Sequence, residues 1–209
     1  MFLTVEGGEG AGKSTLIRLL AEALKARGLT CLCTREPGGC PLGLQIRPLL
    51  LQRAQTMNNR AELLLFLADR AQHVAEVIRP ALERGEWVLC DRYSDSTIAY
   101  QGCGRGMDKD ALQRLNDWAS GGLWPDLTLL LDLPAEEGLA RARARNGLTH
   151  REESEGRFES EALAFHQRIR QGFLERAARW PERFCILDAR RSPEAVLCEA
   201  LAAIDRLHG

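Results

Sequence analysis

The chain has 209 residues, with 28 lysines and arginines against 29 aspartates and glutamates and a formal net charge of −1. That length supports one α/β domain with a substantial core, and the balanced charge argues against a nucleic-acid coat protein or a polybasic membrane binder. The 7 cysteines form no C-x-x-C pair, so reduced thiols are expected rather than a disulfide framework or a metal cluster. No apolar run approaches the roughly 20 residues that span a bilayer, and the N-terminus lacks the basic and apolar segments of a signal peptide. A cytoplasmic protein is expected.

Residues 2–6 are a short apolar, β-prone run. They lead into Gly7-Gly8-Glu9-Gly10-Ala11-Gly12-Lys13-Ser14, which fits the phosphate-loop pattern G-x-x-x-x-G-K-[ST]. From Thr15 to Arg27 apolar residues recur at helical spacing, and Gly28 stops the helix. The glycines let the backbone turn its N–H groups inward toward phosphate, and the helix N-terminus adds about half a positive charge. Lys13 can reach the β- and γ-phosphates, and the Ser14 hydroxyl can bind Mg²⁺.

A second strand is expected over residues 29–34, ending in the loop Arg35-Glu36-Pro37-Gly38-Gly39. A short helix around residues 42–52 and a long one over residues 60–77 follow, with Pro80 kinking or ending the latter. Residues 87–91 form the third strand and residues 127–132 the fourth. Between them Asp108 caps a helix that reaches about Trp118. Pro134 starts a helix to about Arg145, residues 146–156 read as a mobile charged loop, and a further helix covers residues 160–178. Residues 184–188 are the fifth strand, and Ser192-Pro193-Glu194 opens the last helix with a cap, a first-position proline and an acid.

Five apolar strands alternating with helices predict a five-stranded parallel sheet covered by helices on both faces. No linker or repeat is visible, so residues 1–209 are read as a single domain with a lid segment at about 141–157. In such sheets ligands sit beyond the carboxyl ends of the strands. The phosphate loop, Arg35-Glu36 and Asp91-Arg92 are therefore expected to converge on one crevice. Asp91 ends an apolar strand, where a carboxylate helps hold Mg²⁺, and Arg92 can make two parallel hydrogen bonds to a phosphate. Arg141, Arg143 and Arg145, with Arg151 and Arg157 in or after the charged loop, form an arginine-rich lid over transferring phosphates. Phe66 and Arg70 lie four apart on one helix face. Spacing alone favours a core aromatic and an ion-pair partner. Leu63, Leu64, Leu65 and Leu67 can fill the core without Phe66, which keeps stacking on a planar base open. His73 and His166 show no partner pattern. Basic residues do not interleave with aromatics, so no nucleic-acid groove is expected.

These residues resemble the bacterial thymidylate kinases, over nearly the whole chain. The resemblance is carried by Val5 to Thr15, by Thr34-Arg35-Glu36-Pro37-Gly38-Gly39, by Phe66 with Asp69-Arg70-Ala71-Gln72-His73, and by Asp91-Arg92-Tyr93 with Ala99-Tyr100-Gln101-Gly102. It implies a fold of the P-loop nucleoside-monophosphate-kinase type, usually homodimeric, with Mg²⁺ accompanying ATP. It implies that Gly7, Gly8, Glu9, Gly10, Ala11, Gly12, Lys13, Ser14 and Thr15 bind the ATP phosphates and that Ser14 and Asp91 serve the metal. On the acceptor side, Arg92 would grip the dTMP phosphate beside Glu9, Arg35 and Glu36. Phe66 would stack on thymine, Arg70 would hydrogen-bond it, and Thr97 and Gln101 would sit at its far edge. Tyr100 would crowd the sugar 2′ position, and the loop over residues 188–192 would lie near adenine. One branch of the family carries an arginine inside the phosphate loop. Here that position is Gly10, so catalysis is expected to rest on Lys13, Arg92 and the lid arginines Arg141, Arg145, Arg151 and Arg157. The competing readings are another nucleotide or nucleoside kinase, and a phosphate-loop ATPase switch.

Overall fold

The computed structural model describes residues 1–52, 56–149 and 157–208. Its centre is a parallel five-stranded sheet in the order β2-β3-β1-β4-β5, built from β1 (Phe2–Gly7), β2 (Cys31–Arg35), β3 (Trp87–Asp91), β4 (Leu127–Asp132) and β5 (Phe184–Asp188). The register brings Thr4 of β1 beside Cys90 on one side and Thr128 on the other. The three central strands are buried on both faces and mostly apolar, because both faces are covered. The edge strands expose Cys33 and Ile186.

Alternation along β1 sorts its side chains between two cores. Leu3 and Val5 join α1 (Lys13–Ala26) and α9 (Pro193–His208), whose Leu16, Ile17, Leu20, Leu24, Ala200 and Ile204 cover that face. Truncating a fully buried leucine such as Leu20 costs about 2–5 kcal/mol. The opposite face is covered in two parts. Phe2, Val88 and Cys90 meet Val74, Ile78 and Ala81, which follow α3 (Asn59–His73). Leu130 meets Phe165, Ile169, Phe173 and Ala177 of α8 (Leu163–Arg179).

The strands lie within two residues of their expected ranges, and Asp108 caps α6 (Lys109–Ser120) by accepting from the N–H groups of Asp110 and Ala111. The differences have local causes. The long helix does not end near Pro80: after α3 the hydrogen bonding widens into a π turn over Val74–Ile78 and then continues as α4 (Arg79–Glu83). Pro80 sits at the start of α4, where its missing N–H does no harm. Cys40 caps α2 (Pro41–Leu51) through its sulfur, which accepts from Gly43 N at 3.3 Å. The segment after β3, with no helical reading in the sequence, forms α5 (Ser94–Thr97) and a second π segment over Ile98–Gly104. A π segment has no 3.6-residue apolar period to betray it. Leu64, expected in the core, is exposed. Finally, α7 (Ala135–Thr149) runs past Arg145 into what reads as loop; residues 150–156 of that expected loop lie outside the described residues.

Candidate active site

The carboxyl ends of β1, β2 and β3 open into a cleft of about 470 Å³, lined among others by Glu9 to Thr15, Arg35, Glu36, Phe66, Arg70, Asp91, Arg92, Thr97, Tyr100 and Gln101. The three loops expected to converge do so. Glycines shape the phosphate end. Gly12 has φ 95° at the cap of α1, and Gly10 has φ 67° where the loop passes α7. The Gly10 and Gly138 backbones face each other so closely that a Cβ on either would collide with the other strand of chain: Gly138 O on one side, Glu9 O on the other.

Two cations and one carboxylate hold this end together. Lys13 Nζ donates to Gly7 O at 3.2 Å and Gly8 O at 2.8 Å. Burial, and then the charge of Arg92, lower Lys13 to about 8, against the pull of Glu9, Asp91 and Glu6. Arg92 adopts φ 68°, the left-handed region that costs a side-chain-bearing residue about 1–2 kcal/mol. From there its guanidinium donates to Gly7 O at 3.0 Å and to Glu9 Oε1 at 2.9 Å, and lies over the Tyr100 ring. Tyr100 donates its hydroxyl to the same Glu9 oxygen at 2.7 Å. Burial pushes Glu9 up, but Arg92, Lys13 and the Tyr100 hydroxyl together outweigh it and hold the carboxyl at about 2.

Three residues upstream, Glu6 has the opposite character. It points to the other side of β1, fully buried, and accepts from Tyr93 N at 2.8 Å and Ser96 Oγ at 2.6 Å. Burial dominates there and raises it to about 7 despite Arg92. Glu6 and Ser96 thus pin the Arg92 turn from below.

The metal expectation rests on Ser14, exposed in the first turn of α1, and on Asp91. Asp91 Oδ1 is buried with no hydrogen-bond partner among the described residues. Among those residues no group of three or more His, Cys, Asp or Glu is arranged to hold a metal ion. A hydroxyl and a carboxylate are hard oxygen donors. They suit a Mg²⁺ that takes its other ligands from phosphate and water.

The far end of the cleft is a buried polar network. Arg70, 1 % exposed, donates through Nε to Glu36 Oε2 at 2.8 Å. Its Nη1 donates to Thr97 Oγ1 at 2.9 Å and Asn116 Oδ1 at 2.6 Å. Glu36 Oε1 is 3.0 Å from His73 Nδ1, and His73 Nε2 is 2.7 Å from Thr34 Oγ1. Asp69 accepts from Gly38 N at 2.9 Å; burial first, then Glu36, raise it to about 6. Phe66 is half-buried in the cleft wall, its ring 6.3 Å from that of Phe158. Arg70 is thus both an ion-pair partner and a cleft residue, while Arg35 lines the rim exposed.

The lid arginines separate. Arg141 is exposed on α7 and donates to Ala189 O at 2.9 Å, in the loop following β5. The side chain of Arg145, and all of Arg151, fall outside the described residues. Arg157 is not a cleft-lining residue. It is buried, donating to Leu50 O at 3.0 Å and Glu62 Oε2 at 2.6 Å. Sequence reasoning gave no role to Glu6, Glu62, Asn116 or Phe158. A glutamate inside an otherwise apolar first strand was a usable signal for Glu6; Asn116 on α6 offered none.

No helix among the described residues is long and apolar enough to cross a membrane. A sequence model of the family described as Thymidylate kinase matches residues 5–199. The chain is 57 % identical to the thymidylate kinase of Desulfovibrio desulfuricans over 206 residues, covering 98 % of this chain and 95 % of the relative. It is 57 % identical to that of Solidesulfovibrio magneticus over 197 residues, with 94 % of each covered. A solved thymidylate kinase structure from Ehrlichia chaffeensis superposes with a TM-score of 0.78 at 33 % identity, covering 98 % of both chains. A phosphate loop, a carboxylate–arginine–tyrosine group beside it and a buried polar pocket at the far end thus occur in a chain that belongs to the thymidylate kinase family.

Proposed function

We propose that the protein transfers the γ-phosphoryl group of ATP to dTMP, giving dTDP and ADP for dTTP synthesis. The observation that carries this reading is the continuity of the cleft. One cavity joins the phosphate loop at Gly10 to Thr15 with a pocket whose wall is Phe66, Arg70, Thr97 and Gln101. Donor phosphates lie on the loop amides with Lys13 at the β- and γ-groups. Arg92, held by Glu9 and its own strained backbone, grips the acceptor phosphate and keeps it in line with the donor. The acceptor is already anionic near neutral pH, so no side-chain base is needed. Charge developing on the transferred group is met by Lys13, Arg92 and the arginines of the lid, among which Arg141, Arg145 and Arg151 are the candidates. Arg157, spent on Glu62, serves as an anchor at the end of the lid segment. Ser14 and Asp91 would hold Mg²⁺, which would supply neutralisation of phosphate charge. Tyr100 closes the sugar side, and residues 188–192 line the adenine side.

Two further features belong to this reading. Leu42, Leu44 and Leu49 of α2, Leu64 of α3, and Leu115 and Trp118 of α6 are exposed on helices that pack against one another, which supports a homodimer. The described cysteines are free thiols, as suits a cytoplasmic enzyme.

The test is ADP release from Mg-ATP across dTMP, dUMP, UMP, CMP, AMP and GMP, with a no-acceptor control. Turnover strongly favouring dTMP is expected. Preference for another acceptor would sink the pocket assignment, and rapid release without acceptor would favour an ATPase switch.

A further inference from the structure

We infer that Glu62 is a positioning residue: it fixes the side-chain amide of Gln101 so that the cleft meets an acceptor there, selecting a pyrimidine-2,4-dione edge and rejecting a cytosine edge. This deepens the acceptor reading above and rests on it.

Glu62 stands in the first turn of α3, wholly buried. Its Oε2 receives Arg157 Nη2 at 2.6 Å and Arg105 Nη2 at 3.3 Å, two guanidinium groups that can only donate. Arg105 Nε also reaches Oε1 at 3.4 Å. A carboxylate paired with two guanidiniums has acceptors and nothing else to offer a neighbour. Gln101 meets it from the π segment after α5, 1 % exposed, with Nε2 donating to Glu62 Oε1 at 2.9 Å. An amide can otherwise present either its oxygen or its nitrogen by turning over. Here the turned form would set the Gln101 oxygen against a buried carboxylate oxygen, with no proton between them. That repulsion fixes the amide. Gln101 lines the cleft, and no described residue donates to its Oε1. An acceptor is what remains for a ligand.

The other half of the pattern comes from Arg70. Nε and Nη1 are taken by Glu36, Thr97 and Asn116. Nη2 has no partner among the described residues, and Arg70 lines the same cleft. The wall therefore offers a donor at Arg70 and an acceptor at Gln101. A pyrimidine dione presents a carbonyl oxygen beside an imide N–H, which complements donor and acceptor in turn. Cytosine presents an amino donor beside a ring-nitrogen acceptor and is mismatched at both. Sites that leave buried polar groups unpaired against the wrong ligand discriminate far more strongly than apolar pockets do. Without Glu62 the Gln101 amide is free to turn and greet either edge.

The test compares kcat/KM for dTMP and dCMP in the wild type, in Glu62→Gln, and in the exchanged pair Glu62→Gln/Gln101→Glu. In the exchanged pair the amide introduced at position 62 donates to the carboxylate introduced at position 101. An acceptor is again presented, and one negative charge is kept for Arg157 and Arg105. The dTMP:dCMP ratio is expected to fall at least tenfold in Glu62→Gln, with KM for ATP unchanged. In the exchanged pair it is expected to return to within about threefold of wild type. A merely structural role would lower both acceptors in proportion and leave the ratio intact. That result, or failure of the exchanged pair to restore the ratio, overturns the assignment. The exchanged pair decides alone if Glu62→Gln does not fold. A wild type that phosphorylates neither nucleotide would instead overturn the proposed function.

Discussion

The two ends of the cleft are built on different principles. At the phosphate end the chain itself does most of the shaping. The glycines between positions 7 and 12 turn the backbone, Arg92 sits in a left-handed conformation, and the key donors bond to main-chain carbonyls such as Gly7 O. At the far end, the proposed base pocket, side chains shape one another. Arg70 is fixed by Glu36, Thr97 and Asn116, from three different elements, and none of the four is more than a few per cent exposed. Backbone shaping leaves charges ready for a partner that carries opposite charge. Side-chain shaping in a dry interior makes the position of each polar atom depend on its neighbours.

That contrast predicts where damage falls. The largest effect is expected from Glu36→Ala. It strands Arg70 in the interior without its carboxylate, at about 3–5 kcal/mol of folding stability. Urea unfolding reads it directly, and a loss below about 1 kcal/mol would mean that the far end is not held as described. Lys13→Ala should do the reverse. Its hydrogen bonds go to Gly7 O, which Arg92 also serves, and to O of the half-buried Gly8; its removal relieves repulsion with Arg92 against the lost attraction of Glu9, Asp91 and Glu6. Stability is expected to change by no more than about 1 kcal/mol, while kcat falls about 10²- to 10³-fold. Equal damage to stability would erase the distinction between the two ends.

The smallest effect sharpens the contrast within β1. Glu6 is raised from 4.5 to about 7, so the folded chain keeps a proton there that the unfolded chain has released. Its contribution to stability is therefore fully present below about 4.5 and is lost as pH rises to about 7. Glu9, lowered to about 2, contributes with the opposite sign and in a lower window, from about 4.5 down to about 2. Asp69 has its own slope up to about 6, in wild type and variant alike. Glu6→Gln is expected to gain on wild type as pH rises from 4.5 to 7. Denaturation at both values would show it, and a difference independent of pH would refute the assignment.

The same contrast explains what can be read from the sequence. Phosphate-end residues are contiguous, from Gly7 to Thr15, or end an apolar strand, as Asp91 and Arg92 do. Local pattern and the strand-end rule suffice to bring them together. The far end joins Glu36, Arg70, Thr97, Gln101 and Asn116 across gaps that no period spans. Phe66 and Arg70 reach it only through family resemblance, since their spacing fits an ordinary core face equally well. The strands are legible because buried parallel strands are continuous apolar runs. The segment carrying Thr97, Tyr100 and Gln101 is not, because its π-type winding follows neither period. Arg157 reads as a lid cation because sequence shows a charge but not the buried Glu62 that occupies it.

The close approach of Gly10 and Gly138 bears on how such a chain can change over generations. Each position is emptied by the other, so a single substitution at either meets backbone rather than space. An arginine can enter the loop at Gly10 only after the α7 helix has been re-seated. A route to an arginine at that position therefore passes through poorly packed intermediates. A lineage that has settled α7 against the loop is held to the course it has taken.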